Sequence, residues 1–331
     1  MTTTGTAPTR NAPVREPAST WTRRLRDVSF WAEWAALVGL VALVIVFQAA
    51  NSTFLSPGNI ASMLVAAAIL VILAVGQTFV IATSGIDLSV ASIMTLAAVV
   101  FGQTYTAGWG LAGSIVAAVV AGLLVGAVNG VIIARGKITD FIVTLGMLSA
   151  ASGAALVLSN GKPVTIINTF LLRLSSGGLG IFGWSTIIAA VVAVLAHGVL
   201  FHTRFGTHVL ATGGSAEAAT ATGISTRRIK IAVYTISGVL AGLGAILLIA
   251  RIGAAEPAAN TAFLLNSVAA VVLGGVSLFG GRATILGPVI GALLLTALTN
   301  GLTLLGVSQF YQPLAVGVVV VLAALLTRFQ K

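Results

Sequence analysis

Cysteine is absent from the 331 residues, so disulfides and thiolate metal sites are excluded. Charge is scarce: Asp, Glu, Lys and Arg make up 7% of the chain, against about 25% in a soluble domain. With 58% hydrophobic residues and a mean hydropathy of +1.09, there are too few polar side chains to cover a water-facing surface. The chain is therefore read as an integral membrane protein. Apolar runs of about 20 residues suit helices crossing a ~30 Å hydrocarbon core, and the alternating ten-residue segments of a barrel are missing. The fold class is all-α, polytopic and membrane-embedded.

Other absences narrow the function. No G-x-x-x-x-G-K-[ST] occurs: Lys137 and Lys162 each follow a glycine, but neither has the upstream glycine or the following hydroxyl. Gly178, Gly180 and Gly183 spell G-x-G-x-x-G with no strand before them, which argues against a dinucleotide site. Thr83-Ser84-Gly85 offers a serine without a nearby base, and His197, His202 and His208 crowd one helix end. No catalytic constellation and no metal-ligand set emerge, so the chain is not read as an enzyme.

Residues 1–28 are rich in Thr, Ala, Pro and Arg without apolar periodicity and read as a solvated tail; residues 29–331 form the membrane domain. Arg23, Arg24 and Arg26 before the Trp34–Ala50 run resemble a signal peptide, but the basic region lies far along the chain and a retained first span is favoured. Further spans are expected near 59–82, 88–108, 110–134, 139–159, 183–201, 231–252, 262–281, 284–305 and 307–327, about ten in all. With the N-terminus inside, only Lys162, Arg173 and Arg251 of the 17 Lys and Arg fall outside. The +10 formal charge is then a matter of orientation, with both termini cytoplasmic, and needs no nucleic acid.

Two stretches stand out. The first is cytoplasmic, in the 202–230 loop: Gly213-Gly214-Ser215-Ala216-Glu217-Ala218-Ala219-Thr220-Ala221-Thr222-Gly223-Ile224. Its opening glycines are expected to take backbone angles closed to other residues. An alanine-rich run of high helix propensity follows, and Gly223 suits a left-handed helix end. Such an element fits a groove on a soluble partner; an ordinary loop is the alternative. The second is Thr83-Ser84-Gly85-Ile86-Asp87-Leu88-Ser89, a polar break between apolar runs. Asp87 is the only charged residue between Glu33 and Arg135, and a carboxylate at membrane depth costs ~2.5–3.5 kcal/mol. It either caps the following helix or shapes a transport path, and both readings remain open. Gly274-Gly275-Val276-Ser277-Leu278-Phe279-Gly280-Gly281-Arg282 is a second glycine-rich break, which hints at a two-fold repeat of 59–159 against 231–327. Gly122, Gly126 and Gly130 recur every four residues and mark a face for close helix packing. Gln77, Asn129 and Asn300 are amides within apolar spans, suited to interhelical hydrogen bonds or, with Asp87, to a translocation path.

Several of these motifs occur in a familiar order. Gly76-Gln77-Thr78-Phe79-Val80-Ile81 leads into Gly85-Ile86-Asp87-Leu88-Ser89-Val90; Gly126-Ala127-Val128-Asn129-Gly130 and Phe141-Ile142-Val143-Thr144-Leu145-Gly146 follow. Then come Gly213-Gly214, Glu217-Ala218-Ala219, Gly223-Ile224 and Ala269–Gly275 running to Arg282. From about residue 50 onward the chain resembles the permease subunit of bacterial ABC importers of the ribose/xylose/arabinose/galactoside class. The resemblance implies that Gly213, Gly214, Glu217, Ala218, Ala219, Gly223 and Ile224 form the coupling helix that docks on a separate ATP-binding subunit. That subunit would hold ATP and Mg, so no cofactor is expected on this chain. The resemblance further implies a second permease chain, identical in a homodimer, and an extracytoplasmic sugar-binding protein. It also implies a place among the lipids of the bacterial cytoplasmic membrane and a monosaccharide or related polyol as substrate. Departures from the family pattern are Ser215, Thr220, Asp140, Ala91 and the pair Leu264 and Asn266. A permease for branched-chain amino acids or nucleosides, or an energy-independent secondary transporter, is the alternative.

Overall fold

Side chains that are apolar around a whole helix force that helix into a core or a bilayer, and the computed structural model shows both outcomes. It describes residues 28–258 and 261–327. The tail expected over residues 1–28 therefore lies, but for its last residue, outside the described residues, as do Arg328 and Lys331.

Thirteen helices occur among the described residues. In chain order they begin with α1 (Val28–Ala50), α2 (Pro57–Ala82), α3 (Val90–Thr106), α4 (Gly110–Gly136) and α5 (Asp140–Ser159). After strand β1 (Val164–Thr165) come α6 (Thr169–Ser176), strands β2 (Gly178–Leu179) and β3 (Phe182–Gly183), and α7 (Trp184–His202). The chain continues with α8 (Arg204–Gly214), α9 (Ala216–Ala221), α10 (Thr226–Ile252) and strand β4 (Ala254–Ala255). It ends with α11 (Thr261–Leu273), α12 (Leu286–Leu304) and α13 (Gln312–Thr327).

Six helices, α2, α4, α5, α7, α10 and α12, are long and apolar enough to cross a membrane. The other four apolar segments give shorter described apolar stretches of 10–17 residues, Ala36–Ala50 being part of the 23-residue α1, so the expected count of about ten spans is not confirmed by length alone. Two of these, α3 and α11, are short because they adjoin the polar and glycine-rich breaks. The chain is mostly helical, as expected, with one minor addition among the described residues. Two small antiparallel sheets exist, with Val164 opposite Ala255 and Gly178 opposite Gly183. The second is a hairpin turned at Gly180, whose φ is +63°. A turn and a close strand pairing are what the Gly178, Gly180 and Gly183 spacing encodes.

Helix α2 is buried along almost its whole length and forms the axis of the molecule, with α10, α12, α7 and α11 packed against it. Helices α4, α5 and α7 form the rim. On α4, Val116, Val120, Leu124 and Val128 point outward and are exposed, whereas Gly122, Gly126 and Gly130 face α10. There the backbones touch: a Cβ on Gly122 would overlap the carbonyl oxygen of Gly238, one on Gly126 that of Tyr234, and one on Gly130 would lie 2.7 Å from Ile231 Cα. In lipid, where apolar side chains gain little by leaving their solvent, such approach is what holds helices together.

Candidate functional site

Helix α2 ends where Thr83 caps it through its backbone and Ser84 turns left-handed at φ 58°. The chain then runs unwound through Ile86–Ser89 before α3 begins. Unwound backbone at this depth must find partners inside the protein, and side chains from α2 itself, α5 and α10 supply them. Gln77 Nε2 on α2 donates to the Asp87 carbonyl at 2.5 Å. Thr144 Oγ1 on α5 and Tyr234 OH on α10 reach the Ile86 carbonyl at 3.2 and 3.3 Å. The Asp87 carboxyl is fully buried. Its Oδ1 accepts from the Ser89 N–H at 2.9 Å and the Ser89 hydroxyl at 2.6 Å, and its Oδ2 from the Ser237 hydroxyl at 2.9 Å. Asn129 Nδ2 on α4 completes the cluster by donating to Ser89 Oγ at 2.8 Å. Asp87 therefore closes the turn that starts α3 and ties it to α10.

The same α10 face continues to its N-terminus. Tyr234 OH donates to Asp140 Oδ2 at 2.8 Å, and Lys230 Nζ forms an ion pair with that oxygen at 2.6 Å. Asp140, one of the departures from the family pattern, thus fastens α5 to α10 directly beneath the break. Gly85 leaves room for this: a Cβ there would lie 2.5 Å from Asp140 Oδ2.

The second glycine-rich stretch connects α11 to α12 and turns at Gly275, Gly280 and Gly281, all with positive φ. It meets the first break. The Gly281 N–H donates to the Ala82 carbonyl at 3.1 Å. The Ser84 hydroxyl lies 2.7 Å from the Phe279 carbonyl oxygen and 2.9 Å from that of Gly213. Both breaks and the end of α8 therefore converge on Ser84.

From Gly213 the chain enters the stretch singled out for docking. Ser215 starts α9, its hydroxyl accepting from the Ala218 N–H at 3.2 Å, so this departure residue serves as an N-cap. Gly223 turns left-handed at φ +86°, as expected of a helix end. Gly213 and Gly214 differ from expectation. Both belong to α8 and neither has a positive φ. Gly213 is needed for space, since a Cβ there would overlap the Ala82 carbonyl oxygen. Gly213 and Ala219 are buried, Ile224 is half-buried, and Gly214, Glu217, Ala218 and Gly223 are exposed.

Of the four residues proposed for a path, Gln77, Asp87 and Asn129 lie together at the break. Asn300 does not: it exchanges two hydrogen bonds with Asn59, at 2.9 and 3.0 Å, joining α12 to α2 elsewhere. Sequence reasoning overlooked Lys230, Tyr234, Ser237 and Thr144. The signal was present as helical spacing, because Lys230, Tyr234 and Ser237 fall on one face of α10 and Asp140 and Thr144 on one face of α5. Among the described residues no cluster of three or more His, Cys, Asp or Glu side chains could hold a metal.

Comparison with known proteins yields a consistent set of relatives. Residues 59–326 match the family described as "Branched-chain amino acid transport system / permease component". The ribose import permease protein RbsC of Escherichia coli strain K12 is 38% identical over 314 residues, covering 92% of this chain and 96% of that protein. The L-arabinose ABC transporter permease protein AraH of Azospirillum brasilense is 37% identical over 300 residues, 88% of each chain. The fructose import permease protein FrcC of Rhizobium meliloti is 34% identical over 297 residues, 87% of this chain and 82% of that one. No solved structure matches the chain.

Proposed function

Since the chain belongs to the family of transport-system permease components that its residues 59–326 match, we propose that it is the membrane subunit of an ATP-driven importer for a monosaccharide or related polyol. The names of the relatives support a sugar: they specify ribose, L-arabinose and fructose. The family description mentions branched-chain amino acids, but these relatives do not. In this reading ATP and Mg sit on a separate ATP-binding subunit, a sugar-binding protein delivers substrate from the opposite side, and a second permease chain completes the pore within the lipid. Both termini and residues 202–230 face the cytoplasm.

The observation that carries the coupling role is the junction at Ser84. A docked ATP-binding subunit would grip Glu217 and Ala218 on the exposed face of α9 and the flanking Gly214 and Gly223, with Ile224 at the edge. Gly213 and Ala219 would seat that element on the permease. A push on α9 then reaches Ser84 through the Gly213 carbonyl, and through it both broken helices at once. Short, backbone-mediated contacts transmit displacement without slack. The packing amides and glycines keep the moving parts in register.

Two expected outcomes test this. Glu217→Lys reverses an exposed charge on the docking face, so folding is unaffected while transport-linked ATP hydrolysis falls by about tenfold, equivalent to ~1.4 kcal/mol of docking energy. Unchanged coupling would remove residues 213–224 from the interface. Gly213→Ala places a methyl group on the Ala82 carbonyl and separates α8 from the break. ATP hydrolysis in the reconstituted complex should persist but lose its stimulation by the loaded binding protein; retained stimulation would show that this contact does not transmit.

A further inference from the structure

Beside α9 lies a cleft of about 520 Å³, within the ~300–1,000 Å³ typical of small-ligand sites. Its walls are the C-terminal end of α4 with the turn into α5, the end of α8, α9 and the N-terminal end of α10. Lys137, Arg227 and Lys230 line it, and Asp140 is the only carboxylate that does. Asp140 is bonded to Lys230 and Tyr234, so the cleft retains an excess of two positive charges. The remaining polar lining is almost entirely hydroxyl: Thr212, Thr220, Ser225 and Thr226.

Two further features point the same way. Thr212 is among the residues lining the cleft, is 4% exposed, and its buried hydroxyl has no hydrogen-bond partner. A buried polar group without a partner costs about 1–3 kcal/mol, which a bound acceptor would offset. At the start of α10, a 27-residue helix, Ser225 provides no side-chain cap. The positive end of the helix dipole thus lies at the cleft, which Ser225, Thr226 and Arg227 line.

We infer that this cleft binds a phosphate-bearing anion. Arg227 supplies a planar fork suited to phosphate oxygens, Lys137 and Lys230 supply point charges, and the hydroxyls complete the coordination. Exposed Ile138 in the cleft wall offers apolar surface to an acyl chain, so an anionic lipid headgroup and a free soluble phosphate share this chemistry. Either would brace α9 against α4 and α10. The inference concerns binding alone and does not depend on which substrate the chain carries.

The test uses the full-length chain in nanodiscs, as wild type, as the double variant Lys137→Gln/Arg227→Gln, and as Lys162→Gln/Arg173→Gln, which removes the same charge far from the cleft. In phosphatidylcholine containing phosphatidylglycerol, native mass spectrometry reads retained anionic lipid. In pure phosphatidylcholine, the shift of the thermal midpoint with inorganic phosphate reads soluble anion. The cleft variant should lower the affinity for phosphatidylglycerol or phosphate by about thirtyfold, as ~1 kcal/mol per basic residue implies, while the distant variant matches wild type. Lipid retention identifies a headgroup, and the phosphate-dependent shift a soluble ligand. Thr212→Val, which removes the orphaned hydroxyl, should keep or raise the midpoint without anion yet weaken anion binding. Wild type responding to neither probe, or both cleft variants binding as wild type does, would overturn the inference.

Discussion

Gly126→Ala on α4 is expected to destabilise the protein by about 1–3 kcal/mol, the usual cost of forcing a methylene into a packed contact, and Gly126→Leu to prevent its accumulation in the membrane. The added Cβ has nowhere to go. It would overlap the Tyr234 carbonyl oxygen and lie 3.1 Å from Gly238 Cα, both parts of a helix backbone that cannot rotate away like a side chain. Parting α4 from α10 would also loosen the Asn129–Ser89 hydrogen bond, so damage at Gly126 spreads to the break. The same substitution has the opposite sign elsewhere. Gly146 on α5 and Gly198 on α7 have no atom within 4 Å of an added Cβ, and alanine is better in a helix by ~1 kcal/mol. Thermal unfolding in one detergent should therefore lower the midpoint for Gly126→Ala and hold or raise it for Gly146→Ala and Gly198→Ala. Equal effects at all three positions would mean that the α4–α10 contact is not what the glycines serve.

Asp87→Ala carries the second large effect. It strips three acceptor contacts from a site with no water access. Ser237 can fall back on a carbonyl of its own helix, but the Ser89 N–H at the start of α3 cannot, and the turn loses its fastening to α10. At ~1–3 kcal/mol for each orphaned donor, the Ser89 N–H and hydroxyl together cost about 2–6 kcal/mol. Asp87→Asn separates shape from charge. Its amide oxygen can still accept from the Ser89 N–H and hydroxyl, and its NH₂ can donate to Ser237, whose hydroxyl accepts as well as donates. Asn should therefore restore stability to within ~1 kcal/mol of wild type. If it also transports normally, the carboxylate charge has no part in the path; if it folds but fails to transport, Asp87 acts in the path beyond shaping the turn.

How far these features could be read from the chain depends on the physics behind each. Long apolar runs declare themselves, so α2, α4, α5, α7, α10 and α12 were expected within a few residues. Segments such as 262–281 were overextended because glycine-rich loops share the hydropathy of spans: α11 stops at Leu273, where Gly274 abuts Gly287 and Gly275 turns left-handed. Gly223 was legible because a helix end limits its backbone. Gly213 was misjudged because its constraint is a neighbour distant in sequence, the Ala82 carbonyl, which no local pattern reveals. The Asp87 cluster was half legible. Gln77, Asp87 and Asn129 are conspicuous as rare polar residues in apolar runs. Ser237 and Tyr234 sit in an ordinary-looking span, and only the i, i+4, i+7 spacing from Lys230 links them. Asn300 had the same signature as Asn129 yet pairs with Asn59, since composition alone does not reveal which helix an amide faces.

The most direct test of the account is to purify the tagged full-length chain from its own host membrane in mild detergent and identify its partners by mass spectrometry. The account predicts an ATP-binding subunit held in stoichiometric amount, together with or recruiting a sugar-binding protein. An intact, folded chain that brings no ATP-binding subunit, and that moves sugar alone in liposomes, would contradict it and leave residues 213–224 without a coupling role.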